Sequence, residues 1–271
     1  MNDLEGKVAI VLGASAEGGT GWAVAEHLST AGAKVVVAAR REGPLQELAA
    51  QIDGLAVRCD AAKEEQIVAL AQSARDRFGT IDIAINCAAR PVLGMIGEAK
   101  LSDVQRSLDV NFLAHVAFVR EMAAIMREGG AITLFSTSAA AQPILSFFPY
   151  ACAKAATDCL VRFAALEYGP RGIRVNSILP GPIKTEMASH LYSVPGTQEV
   201  FEREIPLGRI GVPEDFARMA VMLSGPHFMT GLNLPVSGGM QLTRSPRNDE
   251  MPGGAFGSSP PASRSEGWPQ T

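Results

Sequence analysis

The segment Tyr150-Ala-Cys-Ala-Lys154 carries a phenol and an ammonium four residues apart. On a helix that spacing puts both groups on one face. A nearby ammonium stabilises phenolate and lowers a tyrosine pKa that is ordinarily about 10. The phenol can then give or take a proton near neutral pH, which is general acid–base chemistry at an oxygen. Taken alone, such a pair is more often an edge aromatic beside a solvated lysine, so its meaning depends on what surrounds it.

A second constellation lies near the N-terminus, where Gly13, Ser15, Gly19, Thr20 and Gly21 fall in one short loop between an apolar run and a helical stretch. Glycine lets a backbone turn sharply and approach a pyrophosphate closely. The helix that follows offers unpaired N–H groups and partial positive charge. The loop holds four glycines, more than one tight connection needs. After the second apolar run stands Ala39-Arg40-Arg41, where an acidic residue would hold a ribose 2′-hydroxyl. A guanidinium there suits a 2′-phosphate. This favours NADP(H) with Arg40 as its contact. NAD(H) stays possible, and a solvated arginine pair is the competing reading.

These groups need elements to position them, and the chain alternates strand-like and helix-like stretches. Apolar runs at 8–12, 35–39, 55–58, 81–86, 131–136, 173–179 and 233–236 read as seven strands. Helical spacing covers 21–31, 44–52, 64–78, 102–126, 149–168 and 213–223. Continuous rather than alternating apolar strands fit a sheet covered on both faces. The expected fold is α/β, a Rossmann-like doubly wound and mainly parallel seven-stranded sheet in a single domain over residues 1–242. From 243 to 271 the chain turns rich in Pro, Gly and Ser, and a disordered tail is expected there. A segment that orders on a partner is the alternative.

Hydrophobic residues make up 47% of the 271, and the net charge of −4 gives no basic excess for nucleic acid. The apolar runs are far too short to span a membrane. Cys59, Cys87, Cys152 and Cys159 have apolar neighbours and no metal-ligand spacing, so no metal is expected and a reduced, cytoplasmic setting is. His27, His115, His190 and His227 are scattered without paired spacing, and no chemistry is assigned to them.

The Tyr150/Lys154 pair downstream of a glycine-rich βαβ unit resembles the short-chain dehydrogenase/reductase family over roughly residues 5–241. Further segments agree in order: Asp60 and Ala61 after the third strand, Asn86-Cys-Ala88-Ala89, and Asn111 in Asp-Val-Asn-Phe. Ser136-Thr137-Ser138, Arg174 through Pro180-Gly181-Pro-Ile183-Lys-Thr185, and the terminal stretch Thr230 to Gly239 complete the series. The glycine turn is one residue longer than the family's usual form, and Cys87 and Ala89 replace the family's Asn and Gly. An ungapped count of thirteen before Tyr150 lands on Thr137, and a one-residue loop contraction brings in Ser138, which is preferred.

The resemblance implies hydride transfer between a nicotinamide and an alcohol/ketone substrate. Tyr150 would be the general acid/base, Lys154 its helper and a ribose ligand. Ser138, or Thr137, would hold the substrate oxygen, and Asn111 would support a water that relays protons to Lys154. Gly13, Ser15, Gly19, Thr20, Gly21, Arg40, Asp60, Ala61, Asn86, Ala88, Pro180, Gly181, Ile183 and Thr185 would contact the cofactor. Asp60 as a helix cap and Asn111 as a backbone bridge are the plain structural alternatives. Phe147, Phe148, Pro149, Met95 and Ile96, with an irregular lid at 187–206, would border an apolar pocket for a hydrophobic or cyclic substrate. A homotetramer or homodimer is implied, built through the 102–126 and 149–168 helices. The rivals are an enoyl (C=C) reductase, which typically spaces its Tyr and Lys more widely, and a non-catalytic dinucleotide sensor.

Overall fold

A computed structural model of the protein describes residues 4–252. Seven strands form one sheet: β1 (Val8–Leu12), β2 (Lys34–Ala39), β3 (Leu55–Arg58), β4 (Ile81–Asn86), β5 (Met126–Phe135), β6 (Arg174–Pro180) and β7 (Asn233–Val236). Their order is β3-β2-β1-β4-β5-β6-β7. Every adjacent pair is parallel, so the expected mainly parallel sheet is parallel throughout. Chain progress reverses between β1 and β4. Loops leaving the carboxyl ends of those strands part there and leave a crevice, the usual ligand site of such sheets.

Helices α1 (Thr20–Thr30), α2 (Glu42–Gln51), α3 (Glu64–Phe78), α4 (Leu101–Leu108), α5 (Ala114–Ile125) and α6 (Phe148–Tyr168) follow in chain order. Then come α7 (Ser189–Tyr192), α8 (Thr197–Glu204) and α9 (Pro213–Ser224). One sheet face is covered by Ile67 and Leu70 of α3, Phe118 and Met122 of α5 and Val161 of α6. The other is covered by Trp22 and Leu28 of α1, Leu45 and Leu48 of α2, and Phe216 and Leu223 of α9. Each fully buried large apolar side chain contributes about 1.5–3 kcal/mol relative to exposure. This two-sided burial is why the strands are apolar at consecutive positions.

Three departures from the sequence expectation have local causes. The single helix expected over 102–126 is broken by a π-helical turn at Asp109–Leu113. There the Asn111 side chain leaves the helix surface to bond the Arg90 backbone, and the Asn111 backbone carbonyl oxygen accepts the Thr157 hydroxyl at 2.6 Å. The fifth strand starts at Met126, five residues early, because Met126 pairs with Ile81 before an irregularity restores the register at Ala131. The segment 187–206, expected to be irregular, holds α7 and α8, with Val200 and Phe201 of α8 buried.

The disorder expected from residue 243 does not describe 243–252. Arg244 pairs with Glu204 at 2.7 Å and Glu250 at 2.6 Å, and Met251 packs beside Val200, Phe201 and Ile205. An apolar residue and the Arg244–Glu204 ion pair thus tie this stretch to α8, and the Arg244–Glu250 pair holds it together internally. The rest of the expected tail, 253–271, lies outside the described residues.

Candidate active site

Gly13 is the pivot of the loop between β1 and α1. Its φ of +94° lies in the region that favours glycine, and a Cβ there would sit 2.6 Å from the Ala88 backbone nitrogen. A Cβ on Gly21 would run into the Gly13 carbonyl oxygen, so this glycine sets how closely α1 meets the sheet. The N-terminus of α1 has no side-chain cap and no acidic residue in its first turn, which leaves its N–H groups and positive end for an anion. On the far side of the crevice Asn86 is fully buried. Its Oδ1 accepts the Ala88 N–H at 2.9 Å, while its Nδ2 has no hydrogen-bond partner among the described residues. An uncapped helix start, a glycine cradle and an orphaned buried amide are what a bound dinucleotide would satisfy.

Among the groups expected at the adenosine end, Arg40 stays exposed at the end of β2. The neighbouring Arg41 is the guanidinium that turns to the loop. Its Nε donates to Ser15 Oγ at 3.3 Å, and its other nitrogens pair with Glu186 across the crevice mouth. Asp60 follows β3, where its carboxylate accepts the Ala62 N–H at 3.1 Å and so caps its own turn; Ala61 beside it is buried.

The crevice widens into a cleft of about 320 Å³. Gly13, Gly19, Thr20, Gly21, Pro180, Gly181, Ile183 and Thr185 line it toward the loop. Tyr150, Lys154, Thr137 and Ser138 form its chemical centre. The Tyr150 phenol is paired with the Thr137 side chain, and Thr137 Oγ1 also accepts the Ala139 N–H at 3.2 Å. Thr137, the alternative to Ser138, is thus the hydroxyl brought to the phenol, and Ser138, also at the cleft, begins the short 3₁₀ turn Ser138–Ala140. Burial pushes the Tyr150 pKa up to about 12, opposed by the Thr137 hydrogen bond.

Lys154 has no exposed surface, and its Nζ lies 5.9 Å from the Tyr150 ring centroid. Nζ donates to the Phe135 carbonyl oxygen at 2.6 Å and lies 3.3 Å from His115 Nε2. Burial pulls its pKa down to about 7, against the pull of Asp158 and Cys87. Asn111, expected to serve Lys154, commits its amide to Arg90 O at 2.8 Å and Ser107 Oγ at 3.1 Å, and accepts the Arg90 N–H. His115, set aside on sequence, is the α5 side chain that reaches Lys154. The signal was its position four residues after Asn111, one turn on along the same face.

The outer cleft is apolar. Phe147 lines it as expected, with Pro91 and Leu93 in place of Met95 and Ile96; Ile96 points into solvent. Leu191, Tyr192 and Phe201, from the segment expected as a lid, also line it, and Ile144 and Met240 join them without a sequence signal of their own. No described helix is long and apolar enough to cross a membrane.

A family model described as enoyl-(acyl carrier protein) reductase matches residues 13–241. A 3beta-hydroxysteroid dehydrogenase of Eggerthella lenta is 34% identical over 252 residues, spanning 89% of this chain and 96% of its own. A 7alpha-hydroxysteroid dehydrogenase of Escherichia coli is 33% identical over 249 residues, 87% of this chain and 94% of its own. A solved short-chain dehydrogenase/reductase of Serratia marcescens superposes at a TM-score of 0.81 with 30% identity, covering 88% of this chain and 99% of that one. A short-chain type dehydrogenase/reductase of Mycobacterium ulcerans reaches 0.87 at 26% identity, covering 92% and 94%.

Proposed function

Because this chain belongs to the short-chain dehydrogenase/reductase family, we propose that its hydride transfer between a nicotinamide cofactor and an alcohol or ketone is run by Tyr150, with Thr137 and Lys154 as its partners. The observation that carries this is the Tyr150 phenol, hydrogen-bonded to Thr137 and flanked by the Lys154 ammonium at the floor of an apolar cleft. The bound nicotinamide supplies or takes the hydride. In reduction Tyr150 Oη gives its proton to the substrate oxygen; in oxidation the same atom takes it back. Thr137 Oγ1 is a second hydrogen-bonding group at that oxygen and stabilises charge as it develops there. Lys154 would hold positive charge near the phenol and so work against the burial that raises the Tyr150 pKa to about 12. Gly13, Gly19, Thr20 and Gly21 would receive the pyrophosphate on backbone N–H groups, Asn86 and Ala88 would flank it, and Pro180, Gly181, Ile183 and Thr185 would shape the nicotinamide side. Lys154 would also hold the nicotinamide ribose.

The favoured cofactor is NADP(H), with Arg41 and the adjoining Arg40 at the 2′-phosphate. Arg41 already contacts Ser15 of the loop, and its Glu186 partner would exchange for the phosphate. The apolar wall favours a hydrophobic, cyclic ketone or alcohol, a class to which the steroids named for two relatives belong. The wall residues Phe147, Leu191 and Tyr192 would pack a ring system. Four free cysteines are consistent with a cytoplasmic setting.

Enoyl reduction is the second reading, favoured by the description of the matching family model. A phenol and a threonine hydroxyl converging on one point suit a carbonyl oxygen better than a C=C bond. The test titrates NADPH and NADH into wild type, Arg41→Ala and Arg40→Ala, then screens cyclic ketones and enoyl thioesters, with Tyr150→Phe as control. A clear NADPH preference lost mainly in Arg41→Ala, with turnover of ketones only, is expected. Preference for NADH would overturn the cofactor reading, and turnover restricted to enoyl thioesters would overturn the reaction.

A further inference from the structure

We propose that His115 is a positioning residue of the Tyr150–Lys154 centre: its neutral imidazole accepts a hydrogen bond from the Lys154 ammonium at Nε2 and so fixes where that charge sits. This rests on the hydride-transfer reading and adds to it a group outside the residues assigned above. His115 on α5 and Lys154 on α6 are both fully buried, and Nε2 lies 3.3 Å from Nζ. An ammonium carries three donors, and leaving a buried donor unpaired is unfavourable. Phe135 O takes one of them at 2.6 Å, and Nε2 is placed to take another.

The ring must be neutral to do this. An imidazolium would set two cations side by side in a site shielded from water. Burial, with Lys154 adding to it, holds the His115 pKa well below its ordinary value. A neutral ring that accepts at Nε2 carries its proton on Nδ1, and the Ala88 backbone also hydrogen-bonds the imidazole. What the histidine adds is an acceptor aimed at Lys154.

The other groups facing Lys154 do not duplicate it. Asp158, one turn later on α6, hydrogen-bonds Ser136. The Cys87 thiol, after β4, is pushed up by burial and stays protonated. Tyr150 presents its ring. Asn111, one turn before His115, is committed to Arg90, Ser107 and Thr157. The polar link from α5 to Lys154 therefore runs through His115.

The test uses free, full-length protein carrying 13C at lysine Cε and 15N in histidine, read by NMR across pH. Lys154→Met assigns the lysine signal. The variants are His115→Gln, which keeps an acceptor near the Nε2 position, and His115→Leu, which removes it. In wild type at pH 7 the expected tautomer has Nε2 unprotonated. The Lys154 titration should fall by about one pH unit or more in His115→Leu and return toward wild type in His115→Gln. The pH profile of kcat for ketone reduction should move the same way. A protonated Nε2 or an imidazolium in wild type overturns the proposal, and that result needs no variant to fold. Identical Lys154 titrations in all three proteins overturn it equally. Absence of ketone turnover by wild type would instead sink the hydride-transfer reading, while the titrations would still report on the His115–Lys154 contact.

Discussion

At the scale of the residue, Lys154 shows how a reactive centre is held against the preferences of the fold. Its pKa is drawn from 10.5 to about 7, first by burial. Below pH 7 the lysine is charged in folded and unfolded chain alike, and the full cost of burying that charge falls on the fold. Between pH 7 and 10.5 the unfolded chain binds a proton that the folded one has lost, so stability rises with pH. Wild type should therefore gain on Lys154→Met by up to about 1.4 kcal/mol per pH unit in this window. The difference between variants cancels other titrating groups. Urea unfolding at several pH values measures it, and a flat difference would refute it. At Thr137 the prediction concerns rate. Thr137→Ala should lower kcat by roughly 10²–10³-fold, and Ser138→Ala by less than about tenfold. The reverse order in steady-state assays would restore Ser138 to the phenol. Tyr150 and Lys154 were legible because two chemical groups at helical spacing leave a sequence trace. The pairing of Thr137 over Ser138 and the reach of His115 were not. Both depend on backbone direction at a strand end and on which face of α5 meets α6, and these are set by packing rather than by local spacing.

At the scale of the element, every strand but the start of β5 was legible to within a residue, since two-sided burial writes itself as an unbroken apolar run. The helix over 102–126 was not. Its π turn is made by Asn111 reaching back to Arg90, a contact across 21 residues that no window of periodicity contains. The loop from β1 to α1 lies between these cases. Its glycines were visible, but the group that Gly13 accommodates, the backbone of Cys87 and Ala88, lies on another strand's exit. That approach makes Gly13 the most sensitive position of the loop. Gly13→Ala meets both an unfavourable φ and a backbone that cannot yield, so it should displace the Ala88 strand end and weaken dinucleotide binding by at least about tenfold. The core beneath is untouched, and the melting temperature should fall by only a few degrees. Fluorescence titration with NADPH beside thermal melts separates the two effects. Unchanged affinity would mean that the phosphates do not approach this turn.

At the scale of the whole molecule, the surface of α4 to α6 is at odds with a solitary chain. Leu101 is 86% exposed, Phe163 66% and Leu166 78%. On α6, Phe163 and Leu166 stand three residues apart and so share a side of the helix. Large apolar side chains grouped in this way mark an association surface more often than a free one. The opposite side of the same helix carries Lys154 and Val161 into the interior. Association through α6 would therefore brace the element that bears Tyr150 and Lys154, tying assembly to the stiffness of the active centre. Sedimentation should find a mass that is a multiple of 28.5 kDa, four chains being the expectation. Phe163→Glu should yield smaller species by placing a charge where a contact would exclude water. Because kcat depends on how α6 is held, the dissociated protein should turn over several-fold more slowly, while its cofactor affinity, which draws also on the β1–α1 loop and on residues 180–185, should change less. A wild type that sediments as one chain would remove the bracing argument and leave the α6 patch as a surface for something other than a second copy.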